Sequence, residues 1–102
     1  MTEKIKLNGG PDKTVTWIWL EEDQLKVELY DFSELAQNMF GNDIAHTLSI
    51  SKDQMKKLYA LVSQDESSLP GWVSRTYSSY FEIKSWLDEN RIEYTKKTES
   101  WA

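Results

Sequence analysis

The chain has no cysteine, which removes disulfides, a thiolate nucleophile and cysteine-held zinc or iron–sulfur centres together. A reducing compartment, the cytoplasm, is the expected setting. It has one histidine, His46, so zinc held by several imidazoles is excluded as well. No apolar run approaches the roughly 20 residues that cross a bilayer, and the first twenty residues lack the hydrophobic segment of a secretory leader. No membrane association is expected. Two prolines and four glycines leave few breakers, and no low-complexity linker or internal repeat divides the sequence. One α+β domain over residues 1–102 is the reading.

What is present is charge and aromatic mass. Five Trp, five Tyr and three Phe among 102 residues separate the chain from disordered sequences. The formal net charge of −5 works against binding a phosphate backbone, so nucleic acid is not an expected ligand. A protein partner with a basic surface suits that charge better.

Ile5 and Leu7 alternate with Lys4 and Lys6, which predicts a strand over 3–8 that ends in the turn formers Asn8-Gly9-Gly10-Pro11-Asp12. Residues 14–20 and 25–31 predict a hairpin. Phe32, Leu35, Ala36, Met39 and Phe40 predict a short helix over 31–41, stopped by Gly41. Ile44, Leu48 and Ile50 predict a strand over 44–50 with His46 on the same face. A helix over about 52–64 follows, with Ser51 and Gln54 spaced as a capping box. After a loop over 64–71, an apolar arc through Tyr77, Tyr80, Phe81, Ile83, Trp86 and Leu87 predicts a second main helix over 74–90, with Asn90 as its left-handed terminator. Ile92 and Tyr94 then alternate as a closing strand. Strands followed by helices imply an α+β fold with a mostly antiparallel sheet of four to five strands and two main helices on one face.

The stretches YDFSELAQNMFGNDIAHTLSISKDQMKKLYAL and FEIKSWLDENRIEYTKKTESW resemble a loose group of small uncharacterised bacterial proteins. In that group a helix and an aromatic-Gly-x-Asp turn lead into a strand, a Lys/Leu-rich helix and a closing helix-to-strand unit. The resemblance implies the same α+β arrangement and brings no cofactor, substrate or catalytic residue with it.

No Gly-x-Ser-x-Gly elbow and no phosphate-cradling glycine loop occurs, so the serines read as loop and cap residues and Gly9-Gly10 as a turn. No cofactor is expected. His46 with Asp31 or Asp43 is the single acid–base pairing the sequence offers, and it underlies an alternative small-ligand or enzymatic reading. The stronger signal is Thr16-Trp17-Ile18-Trp19-Leu20, apolar on both faces of a strand. A two-residue turn at Glu22-Asp23 pairs Leu20 with Leu25 and Ile18 with Val27 on one face, and sets Trp19 beside Lys26, Trp17 beside Glu28 and Val15 beside Tyr30 on the other. A three-residue turn slips the pairing by one and reverses the faces.

With the shorter turn favoured, Trp17, Trp19 and Tyr30 form an exposed aromatic face flanked by Lys26 and Glu28 and rimmed by acidic residues, with Trp101 as a further contributor. The expected function is non-catalytic protein binding, of the kind an inhibitor or immunity-type antidote performs on a basic site. A structural homodimer joined through that face is the other reading.

Overall fold

A computed structural model describes residues 4–32, 44–65 and 68–100. They form strands β1 (Ile5–Leu7), β2 (Thr14–Glu21), β3 (Gln24–Asp31) and β4 (Ile44–Ile50), helices α1 (Lys52–Val62), α2 (Leu69–Thr76) and α3 (Tyr80–Glu89), and strand β5 (Thr95–Ser100). The five strands make one sheet in chain order, and every neighbouring pair is antiparallel. The α+β expectation holds, with a third, shorter helix added. The helix expected over 31–41 falls outside the described residues apart from Asp31, which closes β3, and Phe32.

The hairpin has the two-residue turn. Glu21 pairs with Gln24, Leu20 with Leu25, Ile18 with Val27 and Thr16 with Leu29. Glu22 and Asp23 both take positive φ, 52° and 63°, the type I′ geometry whose twist matches a hairpin, here without the usual glycine. Asp23 also meets Lys52 at 3.4 Å across the start of α1.

That register divides the sheet. The row Ile5, Ile18, Val27, Leu48 and the row Leu20, Leu25, Ile50 face the helices. Met55 and Leu58 of α1, Leu69 and Val73 of α2, and Ile83 and Leu87 of α3 close over them as one core. Burial of such side chains, at about 25 cal/mol per Å² of apolar surface, is the main stabilising term. Thr16 lies fully buried among them, and its Oγ1 accepts a hydrogen bond from the Tyr80 N–H at 3.0 Å, which ties β2 to the start of α3.

The capping of α1, the extent of the last helix and the start of the last strand differ from the sequence expectation. The Ser51 side chain makes no cap hydrogen bond, and the Gln54 amide oxygen instead accepts from the Glu93 N–H at 3.0 Å. The predicted long helix is two helices, because Pro70 starts α2 in its first turn and the chain is extended at Tyr77 and Ser79. Ser79 caps α3 by accepting from the Glu82 N–H, while the Glu82 carboxylate accepts from the Ser78 N–H and hydroxyl. Gly9 locks this junction. Its N–H donates to the Ser78 carbonyl at 2.8 Å, and a Cβ there would sit 2.6 Å from that oxygen.

Finally, Ile92 and Tyr94 precede the last strand rather than form it. Arg91, not Asn90, is the left-handed residue after α3, with φ 56°. The Arg91 N–H bonds to the Asp88 carbonyl and the Ile92 N–H to that of Leu87, a Schellman ending in which Ile92 is buried in the core. The strand then starts at Thr95.

Candidate functional site

Directly opposed residues of antiparallel strands point to the same side, so the pairings map the sheet face away from the helices. One row runs Lys6, Trp17, Glu28, Thr47, Lys97. A second runs Trp19, Lys26, Ser49, Thr95, and a third Val15, Tyr30, Ala45, Glu99. The predicted grouping of Trp17, Trp19, Lys26, Glu28 and Tyr30 on one face is therefore present. Trp101 lies outside the described residues.

Their exposure is not what the sequence suggested. Trp19 is only 8% exposed. Lys4 Nζ stands 4.2 Å from the centre of its ring, and its indole N–H donates to Glu21 Oε1 at 3.1 Å. Lysine stems cover apolar surface while their charged ends stay in water, and the ammonium gains from the ring face. Lys26 is held as well, donating to Gln24 Oε1 at 3.0 Å and Ser49 Oγ at 2.9 Å. Trp19 is thus a sealed part of the sheet, and its reading as an exposed contact residue is corrected.

Trp17 and Tyr30 are half-buried. Tyr30 leans on Phe32, ring centres 6.1 Å apart, and Phe32 is 37% exposed. Sequence reasoning placed Phe32 on a helix. Its position two residues beyond Tyr30, in phase with the strand, was the available signal. The aromatic part of this face accordingly runs through Trp17, Tyr30 and Phe32. Its charge is mixed: Lys4, Lys6, Lys26 and Lys97 stand against Glu21, Glu28 and Glu99. Among the described residues, then, this face carries lysines and glutamates in alternation rather than acids alone.

His46 sits on the helix-side face in line with Leu29, and its Nδ1 lies 3.0 Å from the Thr98 hydroxyl. Burial lowers its pKa, the Lys96 charge lowers it further, and Asp31 partly offsets both. Asp31, opposite Ile44, is thus close enough to act on it electrostatically, whereas Asp43 falls outside the described residues. Among the described residues no group of three or more His, Asp or Glu side chains is placed to hold a metal ion.

Clefts open at one end of the sheet, beside the start of α1 and along α3, all among the described residues. The first, about 680 Å³, lies between the β3, β4 and β5 ends and the α3 terminus, and includes Gln24, Ser49, Asp88, Arg91 and Tyr94. Two of its polar groups are bonded to each other: Asp88 accepts from the Tyr94 hydroxyl at 2.6 Å, and also from Lys84 at 3.2 Å, and the Tyr94 bond, followed by Lys84, lowers its pKa. The cleft along α3, about 380 Å³, is lined by Tyr77, Phe81, Glu82, Ser85, Trp86 and Glu89. No family model, curated protein or solved structure matches the chain.

Proposed function

We propose that the protein works by binding another protein across the open face of its sheet. The observation that supports this is the row Lys6, Trp17, Glu28, Thr47, Lys97, continued by Tyr30 and Phe32, which no described helix covers. Trp and Tyr in mixed polar surroundings are the residue types that anchor protein interfaces. Alternating positive and negative groups set partner and register more than they set affinity. The mixed charge favours a partner of alternating charge at this face. The antidote form of the reading, in which the chain masks a basic site, draws on the net charge of the whole chain.

A photo-crosslinking residue at Thr47, in the centre of the row, tests this in the source cell. The reading expects a discrete adduct that is lost when Trp17→Ala is added and absent when the crosslinker stands at Asp53 on α1. An adduct at twice the chain's 12.0 kDa identifies a second copy as the partner. Equal products from both positions, indifferent to Trp17, would remove the face from the account.

A further inference from the structure

The groove along α3 has a different character from the sheet face. Its wall is a fixed aromatic stack: Tyr77 lies on Trp86 with ring centres 5.1 Å apart and planes 28° from parallel, and Trp72 supports Trp86 from 5.8 Å. Phe81 forms the outer lip and is 47% exposed, in edge contact with Tyr80 at 5.4 Å. The core takes Tyr80, Ile83, Trp86 and Leu87 from α3, so Trp86 stands between core and groove, while the Phe81 ring lies outside the core and touches it at Tyr80.

Two carboxylates stand along this groove. Glu82 and Glu89 are seven residues apart on one helix face, about 10 Å at 1.5 Å per residue. Among the described residues no lysine or arginine pairs with either. Lys84, the only basic residue of α3, is turned to Asp88 on another side of the helix. Hydrogen bonds from Ser78 hold the Glu82 carboxyl below its ordinary pKa. Tyr77 reports the field: burial, then Glu89 and Glu82, push its phenol above the ordinary value.

We propose that this groove receives a basic segment of a protein partner, its two cationic side chains about 10 Å apart, one at Glu82 and one at Glu89, with the intervening chain across Phe81 and Tyr77. Charge complementarity selects the occupant. Aromatic faces attract cations, and arginine adds planar stacking and paired hydrogen bonds to a carboxylate. An apolar segment would desolvate both carboxylates without supplying a counter-charge, and an acidic one would be repelled. Because the rings are already stacked, little side-chain freedom is lost on binding. The site lies on the helix side and is independent of the sheet-face reading.

The test uses the full chain and an Arg-Pro-Pro-Arg peptide, whose extended proline helix sets its arginines about 9 Å apart on one side. Binding is followed by NMR at the Trp86 indole N–H, beside the same peptide with citrulline replacing arginine. The proposal expects saturable binding of the arginine peptide, none of the citrulline peptide, and about tenfold weakening by Glu89→Gln, by Phe81→Ala and by Glu82→Gln, where Gln keeps the cap of α3. Asp53→Asn, on α1, should leave the affinity unchanged. Absence of saturation at millimolar peptide, or equal weakening by Asp53→Asn and Glu89→Gln, overturns it, the latter because only general acidity would then be at work.

Discussion

The open sheet face and the α3 groove both combine aromatic rings with charge, yet they do so in opposite ways. On the sheet, cations meet rings and polar groups of the same chain: Lys4 lies on Trp19, and Lys26 is held by Gln24 and Ser49. In the groove the rings meet each other, and Glu82 and Glu89 have no described cation. The difference teaches that a tryptophan on an uncovered face is not thereby a contact residue. Its own neighbours decide, and they separate Trp19, which is sealed into the sheet, from Trp17, which stays half-covered and which we propose meets a partner.

Removing the two tryptophans tests that separation most severely. Trp19→Ala should cost about 3 kcal/mol of stability, in the range for a buried ring, while Trp17→Ala should cost about 1 kcal/mol and act chiefly on binding. Urea denaturation of the two variants gives the comparison directly; equal losses would erase the distinction.

Gly9→Ala breaks the groove while leaving the sheet rows untouched. The new Cβ meets the Ser78 carbonyl, a backbone atom with little freedom, so the junction that places Tyr77 must shift. A loss of about 2 kcal/mol is expected, with a change in the near-ultraviolet circular dichroism of the Tyr77–Trp86 stack. An unchanged spectrum would mean that the stack does not depend on that junction.

In the other direction, replacing Glu22-Asp23 by Asn-Gly supplies the residues that positive φ favours at both turn positions. Stability should rise by about 1 kcal/mol, and the Trp17 face should keep its register and its binding. A rise in stability with altered binding would mean that the turn itself contacts the partner.

The smallest expected effect is that of pH on His46. Its folded pKa lies below 6.5, so the unfolded chain binds the proton more readily. Its contribution is complete above about pH 6.5 and is lost as pH falls through the folded value. His46→Gln should flatten that part of the stability profile without altering partner binding. Lost binding in that variant would return His46 to the functional site.

The sheet was legible because strand alternation and a two-residue turn together leave few registers, and Leu20, Ile18 and Thr16 then fall on the core side. The helix ends were less so. Ser79 and Glu82 carry a capping signal inside an apolar arc long enough for one helix, and the arc concealed it. Ser51 and Gln54 carry the same signal, but Glu93, thirty-nine residues on, takes the Gln54 amide. The Lys4 cover of Trp19 was also beyond reach, since it depends on where the end of β1 sits on β2. The groove was visible only as its parts, because its wall forms when α2 and α3 separate at Tyr77.

Carbene footprinting of the protein alone and in its partner complex tests the central claim most directly. Protection is expected at Lys6, Trp17, Glu28 and Tyr30, with Trp19 equally shielded in both states. Protection confined to the helix side, with Trp17 equally labelled in the free and bound protein, would contradict it.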